Sequence, residues 1–354
     1  MSLVRAFSWL IWCTVGSLGC SRADLYPVTQ NAPADDSAND TDSTAATNTA
    51  DASTTGASTT DASATGASTT GASTTGASAT ASTTGGSPVL CPELALQPGD
   101  SNQTVLVGGM TRNYVLHIPP NYTGRDPVPL VVDFHGVGGS GMSHRSNSPY
   151  PAELDPEGVV MAFPDGLRGP AGTAWNVGPC CVADVDDVAF ARALVEHAQA
   201  SVCIDASRVY AVGVLTGGGM AHYLACHAAD VFAAVAPAAF DLLEENVDDC
   251  QPARPVSVIS FRGTAADSRV PYEGGASALV PGMPLTFLGA EGTFEAWASI
   301  NGCTGPASTP DADGCSEYSG CNGGADVILC TERGGGEEPG DPSIAWPVLK
   351  RHQR

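Results

Sequence analysis

The sequence predicts an α/β fold with a mostly parallel sheet and helices on both faces of that sheet. Short apolar runs rich in β-branched residues recur from about residue 105 onward, and each is bounded by Gly, Pro or Asp. Continuous apolar runs of this kind suit strands that are covered on both faces. Helical patterns lie between several of the runs, and strands that alternate with helices favour parallel pairing.

Eight of the apolar runs are predicted to be strands. They lie near Val105, Val115, Val131, Val160, Tyr210, Val235, Val258 and Val327. Three helices are predicted, over residues 186–200, 220–229 and 293–300. The first of them places its apolar residues on one stripe, as a helix that packs on a sheet requires.

The N-terminal segment, residues 1–20, is typical of an export signal. A basic residue, Arg5, precedes an apolar run that is too short to span a bilayer, and small residues follow it. The last four residues, SLGC, resemble the lipobox of bacterial lipoproteins, which predicts lipidation of Cys20. Simple secretion is the alternative. Either outcome exports the mature chain to the cell surface or the medium, and the membrane would be reached only through the lipid.

A tether follows the signal, over residues 21–87. From Asp51 it repeats Ala, Ser, Thr and Gly with a period of five residues and contains no large apolar side chain. Such a segment cannot offset the entropy of ordering and is predicted to stay disordered. The globular domain is therefore expected over residues 88–354, which is enough for one full core.

The cysteine content predicts disulfides. Ten of the twelve cysteines fall in the predicted domain, and an even number in an exported chain favours disulfide pairing. No C-x-x-C pair is present, which disfavours zinc, and we expect no metal site. Sequence alone does not give the connectivity, although the adjacent Cys180 and Cys181 are expected to pair with two different distant partners.

The formal net charge of −23 argues against binding to nucleic acid, because neutralising phosphates requires clustered Lys and Arg. The chain has only 15 Lys and Arg in total, without a basic run. We expect a monomer whose charge keeps it soluble.

Three stretches carry the candidate chemistry. The strand near Tyr210 ends in Gly213-Val-Leu-Thr-Gly217, which has the shape of the nucleophile elbow G-x-S-x-G between a strand and a helix. Its middle residue is Leu215, which has no nucleophilic atom. The stretch DFHGVGG follows the strand near Val131, and FRGTAADSRVPYEGG, which contains Asp267, begins in the strand near Val258.

Over residues 105–275 the chain resembles secreted esterases of the polyhydroxybutyrate depolymerase-like and feruloyl esterase-like family. The resemblance is carried by RNYVLHIPPNY, LVVDFHGVGGSG, AWNVGPCC, GGGMAHYLAC and RGTAADSRVPYEGG. It implies an α/β-hydrolase fold, a Ser-His-Asp triad that cleaves carboxylic esters, and no cofactor. The ligand it implies is an ester-containing polymer or small molecule.

The same resemblance assigns the site residues. Leu215 stands at the position of the serine, and Asp267 is the retained acid. The later stretch GGGEEPGDPSIAWP resembles the family's final loop and puts Glu337 at the position of the histidine. The oxyanion hole is expected from Gly136, Val137 and Thr216. Two of the three triad positions are therefore substituted.

These substitutions leave two hypotheses for the function. Leucine supplies no attacking atom, and a glutamate with an unperturbed pKa of about 4.3 is a weak base. We therefore expect a protein that is degenerate in catalysis and keeps a ligand-binding cleft. The alternative is an active ester hydrolase that uses a substitute nucleophile, such as Thr216, or a water molecule activated by a glutamate.

Overall fold

The structure is a computed structural model that describes residues 91–354 except Leu94, Ala266 and Glu337. The predicted export signal, the tether and Cys20 lie outside the described residues. The domain boundaries at 20 and 87 and the lipidation of Cys20 therefore remain predictions.

The central sheet of the described region has nine strands in the order β1-β2-β4-β3-β7-β8-β9-β13-β12. Pairing is parallel from β4 through β13, and β1, β2 and β12 add antiparallel pairs at the two sides. The nine strands are β1 (Gly99–Val107), β2 (Met110–Ile118), β3 (Val128–Phe134), β4 (Val160–Pro164), β7 (Ile204–Val214), β8 (Ala234–Ala238), β9 (Ser257–Gly263), β12 (Cys315–Tyr318) and β13 (Val327–Glu332).

All eight predicted strands lie in this sheet, so the predicted fold class is confirmed. Two small hairpins stand apart from it, namely β5 (Leu167–Gly169) with β6 (Gly172–Ala174), and β10 (Gly275–Ser277) with β11 (Leu285–Phe287). The helices are α1 (Gly141–Asn147), α2 (Tyr150–Leu154), α3 (Asp187–Ser201), α4 (Thr216–His227), α5 (Glu244–Val247), α6 (Gly289–Ile300) and α7 (Pro342–Leu349). Within the described residues, none of these helices is long and apolar enough to cross a membrane.

Helices cover both faces of the sheet, as the sequence predicts. Successive residues of a strand point to opposite faces, so Leu130 and Val132 enter one core while Val131 enters the other. The first core contains the buried faces of α3, α4 and α6, and the second contains residues of α2 and α7. The parallel strands are therefore buried on both sides, which explains their continuous apolar sequences.

Helix α4 begins four residues earlier than predicted. The sequence GGG at 217–219 argued for a turn, because glycine weakens a helix interior. In the structure these glycines form the first turn of α4, where it approaches its neighbours closely. A Cβ at Gly217 would collide with the carbonyl oxygen of Phe134, and a Cβ at Gly218 would collide with that of Ala238. Close packing therefore outweighs the low helix propensity of glycine at these positions.

Five disulfides join the ten cysteines of the described region. The pairs are Cys91–Cys203, Cys180–Cys181, Cys226–Cys250, Cys303–Cys321 and Cys315–Cys330. The prediction that Cys180 and Cys181 have two distant partners was wrong. The other eight cysteines pair among themselves, so the two adjacent cysteines bond to each other. Five disulfides indicate an oxidising, extracellular compartment.

Removing the Cys91–Cys203 disulfide is expected to lower the free energy of unfolding by about 2–4 kcal/mol, because it closes a long loop of the unfolded chain. Its two cysteines are 112 residues apart. Urea denaturation of the double variant Cys91→Ala/Cys203→Ala measures the loss. The matched control is Cys180→Ala/Cys181→Ala, which removes a disulfide between adjacent residues. Equal losses in the two double variants would contradict the loop-closure explanation.

Candidate active site

The bend between β7 and α4 carries Leu215 at its tip. Leu215 has φ 52° and ψ −125°, a backbone conformation that is strained for any residue with a side chain. Its N–H donates to the carbonyl of Ala238 at 3.0 Å, and its carbonyl accepts from the N–H of Gly219 at 2.9 Å. Strand β8 and the first turn of α4 therefore hold the bend from both sides. This geometry presents the side chain of residue 215 at the carboxyl edge of the sheet.

Glycines on both sides of Leu215 make the bend possible. A Cβ at Gly213 or at Gly217 would overlap backbone atoms, including the carbonyl oxygen of Phe134. The strand and the helix consequently approach each other at a distance that only glycine permits. The local backbone has the strand–turn–helix form that the sequence predicts for a nucleophile elbow.

The stretch DFHGVGG at the end of β3, from which two residues of the oxyanion hole are expected, lies directly against the side chain of Leu215. We call it the oxyanion loop. A Cβ built at Gly136 would be 3.2 Å from both Cβ and Cδ1 of Leu215. The N–H groups of Val137 and Thr216 have no hydrogen-bond partner among the described residues. The structure thus brings Leu215 against Gly136, and Thr216 and Val137 are the residues that directly follow these two in the chain.

The rest of the oxyanion loop is held by the residues that follow β4. Gly138 donates its N–H to the carbonyl of Thr173 at 2.8 Å, and the Trp175 indole donates to the carbonyl of His135 at 2.9 Å. The His135 ring bonds the carbonyl of Gly136 through Nδ1 and the N–H of Gly166 through Nε2. Burial lowers the pKa of His135 below its usual value. His135 is therefore a neutral ring that shapes the loop, and both of its nitrogens are occupied.

Asp267 lies in the loop after β9, at the same edge of the sheet as Leu215. Its Oδ1 accepts from the N–H of Arg269 at 2.8 Å and lies 3.6 Å from Nε of Arg269. In the sheet order, β9 is two strands from β7, so strand spacing puts the two edges about 10 Å apart. The assignment of Asp267 as the retained acid stays a prediction.

The loop after β13 is bonded to the loop that carries Asp267. The N–H of Ala265 donates to the carbonyl of Gly335 at 2.9 Å, and the N–H of Gly334 donates to Oγ1 of Thr264 at 2.9 Å. Glu337, the residue assigned to the histidine position, lies outside the described residues, and its assignment also stays a prediction. The two loops nevertheless meet at the edge where the resemblance puts the acid and the histidine.

All seven imidazoles of the chain lie in the described region, and each has a hydrogen-bond or ring partner in its own part of the fold. The partners are Asp100 and Asp155 for His117, Gly136 and Gly166 for His135, Asp133 for His144, Tyr114 for His197, Trp297 for His222, Tyr223 for His227 and Asp326 for His352. None of these partners is Leu215 or Asp267, so no imidazole is arranged as the base of a triad.

Three of these histidines follow the elbow in the sequence, and two of them, His222 and His352, cannot serve it. Burial lowers the pKa of His222 to about 3, and its Nδ1 accepts from the Trp297 indole at 3.0 Å. His352 bonds Asp326 at 2.8 Å, and Asp326 precedes the first residue of β13. Because β13 runs parallel to β7 within the sheet, its start lies at the edge opposite to the elbow.

Thr216 is the hydroxyl next to the elbow tip. Its side chain is fully buried, and Oγ1 has no hydrogen-bond partner among the described residues. A buried hydroxyl without a base cannot approach an ester carbonyl. The geometry therefore disfavours Thr216 as a substitute nucleophile.

The sequence patterns did not reveal a buried charge pair next to the loop that carries Asp267, which we call the acid loop. Arg262, near the end of β9, and Asp241, just after β8, are 5% and 1% exposed, and their nearest N and O atoms are 3.2 Å apart. Arg262 also donates to the carbonyl of Val270 at 2.9 Å, three residues beyond Asp267. The pair thus joins β8, β9 and the acid loop. The sequence did contain an indication of this pair, since Asp241 and Arg262 are each a single charged residue near the end of an apolar run.

Burial of Asp241 is expected to make stability depend on pH. Burial raises the pKa of this carboxyl to about 7, although Arg262 opposes the shift. An unfolded aspartate has a pKa of about 3.9, so between that value and about 7 the native state retains a proton that the unfolded state releases. The contribution of Asp241 to the free energy of unfolding is therefore present at low pH and is lost as the pH rises through this window.

Urea denaturation of wild type and Asp241→Asn across this pH window tests the assignment. The difference in unfolding free energy, variant minus wild type, should grow as the pH rises. The low pKa of His222 acts in the opposite direction, but it is present in both proteins. Asp248→Asn, at an exposed aspartate, serves as the control. Curves for Asp241→Asn that run parallel to wild type would show that Asp241 ionises normally.

Gly217→Ala is expected to lower the free energy of unfolding by about 3 kcal/mol, because the new methyl group overlaps backbone atoms that cannot move independently. Gly336→Ala is the matched control, since a Cβ there would meet nothing within 4 Å. Thermal and urea unfolding of both variants provide the comparison. A Gly217→Ala protein as stable as the control would mean that the elbow is less tightly packed than the structure indicates.

Comparison with known proteins identifies the family. The chain is 44% identical over 243 residues to feruloyl esterase B of Piromyces equi, covering 68% of this chain and 45% of that protein. It is 31% identical over 263 residues to the putative esterase NocK of Nocardia uniformis subsp. tsuyamanensis, covering 69% of this chain and 73% of that protein. The chain therefore spans less than half of the Piromyces relative.

A solved structure supports the fold. The acetyl xylan esterase from Aspergillus awamori superposes with a TM-score of 0.51 at 16% identity, covering 71% of this chain and 99% of that one. No family model matches the chain. The sheet order, the elbow and the two sequence relatives lead to the same conclusion: this chain belongs to the feruloyl esterase-like family of α/β-hydrolases.

Proposed function

We propose that this chain is an exported member of its esterase family that binds an ester-bearing ligand at the elbow without cleaving it. The ligand class is an ester of an aromatic acid or a polymeric carboxylic ester. The relatives named feruloyl esterase suggest the aromatic acid, since esters of that kind are what those names describe.

The observation that carries the proposal is the side chain at the elbow tip. Leu215 occupies the strained conformation from which a nucleophile would attack, but it presents only methyl and methylene groups there. Acyl transfer needs an oxygen, sulfur or nitrogen atom at that point, with a base within hydrogen-bond reach. The histidines have partners in other parts of the fold, and the Thr216 hydroxyl is buried beside the elbow without a base. This set of residues favours binding over covalent catalysis.

The features that would bind an ester remain. The N–H groups of Val137 and Thr216 are unused donors within the described region, and these residues directly follow Gly136 and Leu215, which contact each other. They can donate to an ester carbonyl oxygen, while Leu215 supplies apolar contact to the acyl group. An ester could therefore be held in a hydrolase-like orientation with no atom positioned to attack it.

The N-terminal segments predicted from the sequence give the proposed location of the domain. The leader, a lipid on Cys20 and the tether over residues 21–87 would place a monomeric domain at a bacterial cell surface. A tether of about 60 residues has an average reach on the order of 40 Å. That reach would let the domain meet a polymeric ligand away from the membrane.

Activity assays separate the proposal from its alternative. Wild type should hydrolyse p-nitrophenyl butyrate and methyl ferulate no faster than a heat-denatured sample, and a fluorophosphonate probe should not label it. The variant Leu215→Ser/Glu337→His restores the two missing groups and should gain at least about 100-fold in rate, a conservative share of what a complete triad supplies. The matched control Leu215→Ala/Glu337→His lacks the hydroxyl and should stay inactive.

Calorimetric titration of wild type with methyl ferulate then measures binding without turnover. Binding that Gly136→Val weakens would support the elbow as the site, because the added side chain meets Leu215. Wild-type hydrolysis that disappears in Glu337→Gln or Asp267→Asn would refute the proposal and establish attack by an activated water. Probe labelling of wild type would refute it in favour of a substitute nucleophile.

A further inference from the structure

A single guanidinium group connects the acid loop to a buried carboxyl group. Nη2 of Arg262 donates to the carbonyl of Val270 at 2.9 Å and lies 3.2 Å from Oδ2 of Asp241. Arg262 belongs to β9, Asp241 follows β8, and Val270 lies three residues beyond Asp267. The same nitrogen therefore contacts both the carboxyl group and the acid loop.

The hydrogen bonding between these two charged groups is incomplete. Asp241 and Arg262 are 1% and 5% exposed, and within the described residues both oxygens of Asp241 and the Nε–H of Arg262 lack a hydrogen-bond partner. A buried ion pair repays the loss of hydration only when its remaining donors and acceptors are also satisfied. The guanidinium group of Arg262 is therefore free to exchange Asp241 for another carboxylate at little cost.

A strongly acidic cavity next to Arg262 offers other carboxylates. The cavity has a volume of about 910 Å³ and lies beside the ends of β9 and β13. Among the described residues of its lining, Arg262 and Arg333 are the two guanidinium groups. The carboxyl groups outnumber them and are those of Glu291, Asp311, Asp313, Glu332, Glu338 and Asp341.

Glu291 is the carboxylate that the strand register connects to Arg262. Arg262 of β9 is paired with Thr331 of β13, and residues paired across neighbouring strands point to the same face of a sheet. Oγ1 of Thr331 lies 3.0 Å from the Tyr272 hydroxyl, which donates to Oε1 of Glu291 at 3.3 Å. Two hydroxyl groups thus link the surroundings of Arg262 to an exposed carboxylate on α6.

The buried carboxyl group changes its charge near neutral pH. Burial raises the pKa of Asp241 to about 7, and the charge of Arg262 opposes that shift. The other buried ionisable group of this cluster is His222 on α4, and burial lowers its pKa to about 3. The His222 ring is therefore neutral throughout the range in which Asp241 titrates.

The other elements packed around the pair add no further buried charge. Helix α6 contributes the neutral side chains of Trp297, which donates to His222, and Thr293, which accepts from the N–H that follows Asp241. Burial raises the pKa of Tyr272, so its phenol stays protonated. The remaining charged groups belong to the acid loop or to the cavity, and they are Asp267 and Arg269, which contact each other, Glu291, and Glu332 at the end of β13.

The two charge states of Asp241 favour two positions of Arg262. An ionised Asp241 attracts the guanidinium group inward, where it also binds the carbonyl of Val270. A protonated Asp241 gives no such attraction, and a buried guanidinium group without a counter-ion is unfavourable. We propose that the Asp241–Arg262 pair is a pH-sensitive latch. Ionised Asp241 keeps Arg262 on the acid loop, whereas protonation of Asp241 lets Arg262 turn toward Glu291 and releases the loop. The inference goes beyond the proposed function, since the latch operates whether or not the elbow binds a ligand.

Amide hydrogen exchange of the full-length wild-type protein tests the latch. Exchange is measured by mass spectrometry at about pH 5.5 and about pH 8.5, on either side of the titration of Asp241, and each rate is divided by the intrinsic rate at that pH. Protection of residues 267–278, where the N–H of Ala278 donates to the carbonyl of Ser268, should be at least about tenfold lower at the lower pH. That factor of about ten is the effect of losing one hydrogen bond to a charged group. Global unfolding cannot produce this result, because the contribution of Asp241 to the free energy of unfolding changes with pH in the opposite direction.

Two variants identify the partners of Arg262. Asp241→Asn cannot ionise, so its acid loop should show the low protection at both pH values. Glu291→Gln removes the alternative partner and should make the loss of protection at low pH smaller than in wild type. Glu295→Gln is the matched control, because Glu295 is another exposed glutamate of α6 that does not line the cavity, and it should behave as wild type does.

Three results would overturn the latch. They are wild-type protection that does not fall at low pH, a wild-type pH dependence that persists in Asp241→Asn, and a loss of protection that is equal in Glu291→Gln and Glu295→Gln. If Asp241→Asn does not fold, the comparison of the two glutamate variants decides the question, because both substitutions are at exposed positions.

Discussion

The close approach of helix α4 to the ends of β3 and β8 is the constraint on which the elbow and its surroundings depend. The carbonyl oxygens of Phe134 and Ala238 lie where Cβ atoms of residues 217 and 218 would be. Because helix α4 packs so closely against the ends of these strands, the chain turns from β7 into α4 through a residue with positive φ at position 215. The same packing of α4 brings the oxyanion loop after β3 into contact with Leu215. One packing contact therefore determines the bend, the loop and the direction of the side chain.

A buried charge pair connects the carboxyl ends of β8 and β9 with the acid loop. Arg262 and Asp241 are buried together at the ends of β9 and β8, and Arg262 also holds the carbonyl of Val270. A buried pair of this kind adds little stability by itself, but removing one member leaves the other uncompensated. Hydrogen bonds to the loop after β13 also hold the acid loop. The contact through Arg262 joins this loop to the core by a specific polar interaction in addition to apolar packing.

The sequence predicted the parts of the structure that depend on local patterns. The apolar runs gave eight of the nine strands of the central sheet, all except β12, and the elbow motif placed Leu215 at the bend. The sequence could not reveal features that depend on tertiary contact. Helix α4 starts at the glycines because they pack against carbonyls, and Cys180 bonds Cys181 while the other eight cysteines of the described region pair among themselves. The Asp241–Arg262 pair forms between separate segments of the chain. The roles of Asp267 and Glu337 come from resemblance, which geometry here does not test.

The strain at Leu215 bears on how a hydrolase fold can lose its chemistry. A left-handed conformation costs on the order of 1–3 kcal/mol for a residue with a Cβ, and it persists only where the surrounding structure imposes it. At Leu215 the hydrogen bonds to Ala238 and Gly219 and the packed glycines impose the bend. The elbow is therefore a property of the strand–helix packing and not of the nucleophile. A leucine can therefore stand at its tip while the strand, the bend and the helix keep the form they have in an α/β-hydrolase elbow.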